Sequence, residues 1–296
     1  MKKLSILAVV LSLLLLVTGC VGNNETPGEK TDNGSEKKET KETVTLGYVE
    51  WDSEIASTNV VRAVLEDKLG YPTEITPVDA GVMFQGVSEG SFDGMVAAWL
   101  PGTHKTYLEK VKENVVDLGP NLKGAKIGLV VPTYVEINSI EEMNSVKDKF
   151  KNRIVGIEPG AGIMAATEKA ITEYGLELDL QDSSSAAMAA SLEKAVDNEN
   201  WVVVTGWTPH WKFAKWDLKY LDDPKEIYGG EEEIHTLVRK DLQNDMPEVY
   251  DFLDKFNWEP ADMEELMVMI REGKKPAEAA REWINNNPEK VDAWLK

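Results

Sequence analysis

The sequence predicts an α/β protein of two lobes, each built on a mostly parallel sheet flanked by helices, with the chain crossing twice between them. Three observations carry that prediction. Strand and helix signals alternate from about Thr43 onward in two cycles that echo each other, as mostly parallel sheets covered by helices require. Three of the strands end in tryptophan. A helical stretch closes the chain, and its return to the first lobe makes two crossings, which form a hinge.

The first cycle opens with TVTLGYVEW (Thr43–Trp51), which reads as a strand. Ile55 to Leu69 follows with helical periodicity and stops at Gly70. PTEITPVD (Pro72–Asp79) alternates like an edge strand, and Val82–Glu89 suits a short helix. FDGMVAAW (Phe92–Trp99) is a strand, Thr103–Asn114 is helical, and KIGLVVPTY (Lys126–Tyr134) is a strand ended by Pro132. The second cycle runs from RIVGIEPG (Arg153–Gly160) into a helix, Gly162–Tyr174, with Gly175 as its stop. LELDLQDSS is a strand, Ser184 or Ser185 can cap a helix over Ala186–Val196, and WVVVTGW (Trp201–Trp207) is a strand. LKYLDDP and EIHTLVRK are strands or strand ends, and Glu248–Phe256, Asp262–Gly273 and Pro276–Leu295 form the helical tail. The lobes are therefore expected at 43–131 plus 241–296 and at 132–240, with crossings near Val130–Tyr134 and His235–Lys240.

The first forty residues stand apart. Lys2 and Lys3 precede the apolar run Leu4–Val17 and the small-residue site Thr18-Gly19-Cys20, the pattern of a leader peptide over 1–19. The run is short for a transmembrane helix. Cys20 is the only cysteine, so disulfides, thiolate metal sites and cysteine nucleophiles are not expected. VTGC resembles the lipobox of bacterial lipoproteins, in which the cysteine is lipidated; a plain signal peptide or a membrane anchor is the alternative. Residues 20–42 combine that cysteine with a polar, Gly- and Lys/Glu-rich stretch that cannot bury a core and reads as a disordered tether. The fold would sit on the extracellular face of the cell membrane. A net charge of −20 argues against sequence-independent nucleic-acid binding, which needs a basic footprint.

Trp51, Trp99 and Trp207 each fall at the C-terminal end of a strand, the edge where open α/β sheets bind ligands. A single such residue could be core packing. Three in one topological position, on two lobes, point to converging indole faces, and a quaternary ammonium is the ligand that such a cage suits. A stacked sugar is the rival, but it needs several directional partners, and the polar residues nearby are only Asp52, Ser53, Glu54 and His104. GIEPGAGIM (Gly156–Met164) adds a glycine turn opening a helix, whose free N–H groups attract anions. Glycine before a helix is also common for structural reasons. His104 can donate to the same anion or be a capping residue, while His210, His235 and Trp211 gain no binding role. A cation cage and an anion seat together describe a zwitterion.

YVEWDSEIASTNV, AAWLPGTHKTY, KIGLVVPTY, GIEPGAGIM, SSAAMAASLEKA and TGWTPHWKF followed by LKYLDDP resemble the glycine betaine-binding proteins of bacterial osmoprotectant ABC importers, over essentially the whole chain from Thr43. The resemblance implies a periplasmic-binding-protein-like fold of type II, which closes on its ligand. It implies a prism of Trp51, Trp99 and Trp207 around the ammonium, with the carboxylate held by the amides of Gly162 and Ile163 and by His104. It implies a lipid-anchored monomer that delivers glycine betaine, or a relative such as proline betaine or carnitine, to a membrane permease. Choline or dimethylsulfoniopropionate are the ligand alternatives. No Ser-His-Asp spacing, HExxH or G-x-S-x-G supports a hydrolase. An adhesive or structural surface lipoprotein is the other rival. No catalytic residue, metal or cofactor is assigned.

Overall fold

The computed structural model describes residues 41–296. The leader (1–19), Cys20 and residues 21–40 of the expected tether lie outside the described residues. Lys41, placed in the tether by the sequence, is docked on the fold: its ammonium donates to the Leu69 carbonyl and the Glu248 carboxylate and lies 4.1 Å from the Tyr71 ring centroid.

In chain order the elements are β1 (Val44–Tyr48), α1 (Asp52–Asp67), β2 (Thr73–Pro77), α2 (Ala80–Ser88), β3 (Gly94–Leu100), α3 (Lys105–Val111) and β4 (Val115–Pro132). A 3-10 segment (Ile140–Phe150) leads to β5 (Arg153–Val155), α4 (Gly162–Tyr174), β6 (Asp179–Gln181), α5 (Ser185–Asp197), β7 (Val204–Thr208), α6 (Trp211–Lys215), β8 (Leu218–Tyr220) and β9 (Glu232–Arg239). Five helices complete the chain: α7 (Leu242–Asp245), α8 (Pro247–Lys255), α9 (Pro260–Arg271), α10 (Pro276–Asn286) and α11 (Pro288–Trp294). The local chemistry explains many of these ends. Proline stands at the start of α8, α9, α10 and α11, where its missing N–H costs nothing. Gly175 ends α4 in the left-handed region, and Ser184 caps α5 by accepting the Ala187 N–H.

The strands follow one path, β2-β1-β3-β9-β4-β7-β5-β6, with β8 paired to β4. β1 pairs in parallel with β2 and β3, and β5 pairs in parallel with β6 and β7. β4 and β9 run antiparallel to their neighbours, so the sheets are more mixed than strand–helix alternation alone suggests. β4 joins the two halves of the path. It pairs with β9 through Ala125 and with β7 from Lys126, adding β8 at Val130. The change of partners falls within a continuous strand, between Ala125 and Lys126. After β8 the chain returns to the first half of the path, where β9 pairs with β3 and with the N-terminal part of β4. Gly119, Pro120 and Gly124 mask the N-terminal part of β4 in the sequence, and the bulges there absorb them.

β3 is buried along its whole length, as a central strand covered on both faces must be. The helical tail packs on the first half of the path: α9 and α10 lie against α1, and α8 lies against β4 and β9. α9 also meets α6, so the tail touches elements of both halves. Among the described residues no helix is long and apolar enough to cross a membrane.

Candidate functional site

Trp51, Trp99, Thr103, His104, Ile127, Ile157, Ala161, Gly162, Ile163 and Trp207 line one cavity. All six residues singled out for ligand contact in the sequence are among them. Trp51 is the N-cap of α1, three residues beyond β1; Trp99 and Trp207 are the penultimate residues of β3 and β7. The three indoles are only 6, 3 and 4% exposed. The rings of Trp51 and Trp207 are tilted by 57° with centroids 6.5 Å apart, and Trp51 stacks on His104 at 5.7 Å.

Each indole is aimed by a partner for its N–H, as a buried tryptophan requires. Trp51 donates to Glu158, Trp99 to Glu54 Oε1 at 2.8 Å, and Trp207 to Ser53 Oγ at 3.3 Å. Ser53 in turn donates to Glu54 Oε2. Trp211, which gains no binding role from the sequence, donates to Asp52 Oδ1 at 2.9 Å. Asp52, Ser53 and Glu54 therefore turn toward indole nitrogens, which removes the polar set that a sugar would have used.

His104 is fully buried and its Nδ1 accepts the Trp99 backbone N–H at 3.0 Å. The proton of the neutral ring then sits on Nε2, which has no protein partner. Burial pushes this imidazole down to about 3, so it is a neutral donor at physiological pH. At the start of α4, Met164 N–H bonds to the Ala161 carbonyl, whereas the Gly162 and Ile163 N–H groups find no protein acceptor among the described residues. Three donors without protein partners among the described residues thus share a cavity with three indole faces, an arrangement able to receive an anion beside a cation.

The seat depends on a close approach between the two halves. A Cβ on Gly162 would lie 2.4 Å from the Thr103 carbonyl oxygen, so only glycine fits. The Thr103 loop is itself fixed by Glu232 of β9, whose Oε1 accepts the Gly102 and Thr103 N–H groups at 2.7 and 2.6 Å. Nothing in the sequence around Glu232 marks that role. Leu100–Pro101 and Thr208–Pro209, the two W-x-P turns that echo each other, are both cis.

A second set of contacts spans the halves beside the cavity. Asp52 of α1 accepts Ser185 Oγ at 3.1 Å and faces His210 Nε2 at 3.4 Å, besides holding Trp211. Burial alone would raise its carboxyl, but these donors hold it well below the usual carboxylate range. Arg271 of α9 pairs with Glu193 of α5 at 2.8 Å and lies 4.6 Å from the Trp211 ring centroid. Tyr107 donates to the Gly160 carbonyl at 2.6 Å. His210 and Trp211, left without a role by the sequence, belong to this set. Behind Trp207, the fully buried Lys212 ammonium lies 4.2 Å from the ring centroid without a hydrogen-bond partner, and burial pushes it down to about 7.

The fold and this cavity define the class of two-halved solute-binding proteins. Residues 42–286 match the model of the OpuAC family, the substrate binding domain of ABC-type glycine betaine transport systems, and the chain belongs to that family. It is 54% identical over 150 residues to the glycine betaine/carnitine transport binding protein GbuC of Listeria monocytogenes; that alignment covers half of this chain and half of the Listeria protein. It is 48% identical to lactococcal OpuAC in its closed-liganded conformation with glycine betaine, with a TM-score of 0.82 over 86% of this chain and all of that one. ProX of Borrelia burgdorferi is 43% identical, with a TM-score of 0.83 over 86% of this chain and 97% of its own.

Proposed function

We propose that this protein captures glycine betaine, or a closely related quaternary-ammonium zwitterion, outside the cytoplasm and hands it unmodified to the permease of an ABC importer. The observation that carries this reading is the pairing of three indole faces with three unpartnered N–H donors in one cavity. The trimethylammonium group cannot donate a hydrogen bond, so Trp51, Trp99 and Trp207 receive it by cation–π attraction, about 0.5–2 kcal/mol per face. The carboxylate takes the Gly162 and Ile163 amides and the His104 Nε2–H.

Lobe 1 comprises residues 43–131 and 241–296 and lobe 2 comprises residues 132–240. Trp51, Trp99 and His104 then come from lobe 1, and Trp207, Gly162 and Ile163 from lobe 2. Neither end of the zwitterion is fully held until the lobes meet, so ligand favours the closed form by its differential affinity. Cys20 carries the lipid that anchors a monomeric receptor to the membrane.

Competition between glycine betaine and choline tests the reading. Choline has the ammonium group but lacks the carboxylate, so it should bind at least tenfold more weakly, a difference of about 1.4 kcal/mol. Equal affinities would remove the seat at Gly162, Ile163 and His104.

A further inference from the structure

Glu54 of α1 is the one acidic side chain among the described residues with no exposed surface. It lines neither the cavity nor the solvent. Its Oε1 accepts the indole N–H of Trp99, and its Oε2 accepts the hydroxyl of Ser53, which itself accepts the indole N–H of Trp207. One carboxylate therefore holds walls of the cage from both halves of the sheet, Trp99 directly and Trp207 through a single hydroxyl. Among the described residues no cation pairs with it; the charged neighbour is Asp52, of like sign.

A buried carboxylate without a cation is costly unless something repays its desolvation. Hydrogen bonds from Ser53 and Trp99 repay part. Burial still pushes the carboxyl up to about 7, so the ligand-free protein holds this charge under penalty. A quaternary ammonium behind the two indoles would supply the missing countercharge across the rings. A carboxylate that accepts an indole N–H also drives electron density onto the ring, which strengthens the face offered to a cation.

We propose that Glu54 is a positioning and charge-supplying residue of the cage: it fixes the Trp99 and Trp207 indoles and acts through them as the counterion of the ligand's ammonium. Lys212 opposes it from behind Trp207, and the two charges set the net field at the cage. His104 and His210 stay neutral near pH 7, since burial depresses both, to about 3 and about 4. This inference rests on the proposed capture of a betaine.

The test compares glycine betaine with 3,3-dimethylbutanoate, its uncharged-head isostere, which keeps the carboxylate and replaces nitrogen by carbon. Both are titrated at pH 8 into the full chain and into Glu54→Gln, which keeps an acceptor for Trp99 and removes the charge. Glu54→Gln should weaken glycine betaine on the order of tenfold, as expected for a charge within several ångströms at a protein-like dielectric, and leave the isostere unchanged. Ser53→Ala, which frees Trp207 and spares the charge, should weaken both ligands together. Unchanged glycine betaine affinity in Glu54→Gln, or an equal loss for both ligands, overturns the charge role. If Glu54→Gln does not fold, the wild type decides: a preference for glycine betaine over the isostere below tenfold overturns the proposal. Wild-type protein that binds neither ligand refutes the betaine reading itself, a result distinct from either of these.

Discussion

Adding one methyl group at Gly162 should cost the protein its ligand while leaving the ligand-free fold almost untouched. The new Cβ would stand 2.4 Å from the Thr103 carbonyl oxygen and 2.5 Å from its Cγ2, where real Cβ atoms keep at least 3.0 Å. The two halves must therefore part by about 0.6 Å at this point. Thr103 cannot yield cheaply, because its N–H and hydroxyl and the Gly102 N–H are all held by Glu232. Overpacking of this kind costs about 1–3 kcal/mol, and it falls on the closed form alone, so affinity should drop about 5- to 150-fold. Tryptophan fluorescence titration of Gly162→Ala with glycine betaine reads the loss. The melting midpoint without ligand should stay within a few degrees of wild type, while the ligand-induced rise shrinks. Affinity within threefold of wild type would refute the argument that the two halves meet at this glycine.

Three further substitutions probe the remaining parts. Trp207→Ala removes one cage wall and should weaken glycine betaine at least tenfold by the same titration, given about 1.4 kcal/mol or more for one face and its packing. Asp52→Ala strands the buried indole N–H of Trp211, at about 1–3 kcal/mol. Because the contact spans the halves, calorimetry should show weaker binding with little change in ligand-free stability. The Asp52 carboxyl is depressed, so its contribution is present above the ordinary carboxylate pKa and is lost only in strong acid; wild-type binding should therefore not fall from this cause between pH 5 and pH 8. Lys212→Met replaces a buried, unpartnered amine and should stabilise the protein by about 1–3 kcal/mol at pH 6 in urea denaturation. The folded pKa of Lys212, about 7, lies below the unfolded value near 10.4, so between them the unfolded chain binds more protons. Wild-type stability should then rise toward Lys212→Met as pH increases from about 7 to 10.

The parts of this molecule that were legible in sequence are those fixed by local chemistry. Gly175 and Ser184 announce the ends of α4 and α5, and the strand–helix alternation announces the α/β class. The tryptophans were conspicuous because they sit where strands end, and the geometry gathers them around one cavity. The N-terminal part of β4 is hidden in sequence because Gly119, Pro120 and Gly124 look like loop residues, whereas pairing with β9 carries the strand through them. The 3-10 segment was missed although Ser139 and Glu142 form a capping box, a signal spaced for recognition. Asp52, Ser53 and Glu54 were seen only as polar neighbours of Trp51. The requirement that a buried indole find an acceptor for its N–H could have assigned them, since one short acidic run follows the first tryptophan. Glu232 could not have been assigned, because only the fold brings β9 to the Thr103 loop.

The central claim is that one closed cavity holds both ends of a zwitterion. Calorimetric titration of glycine betaine into the purified protein, with tetramethylammonium and acetate as probes of either end alone, tests it most directly. The account predicts saturable one-to-one binding of glycine betaine and far weaker binding of each fragment. No binding of glycine betaine, or a fragment binding as tightly as the whole, would contradict it.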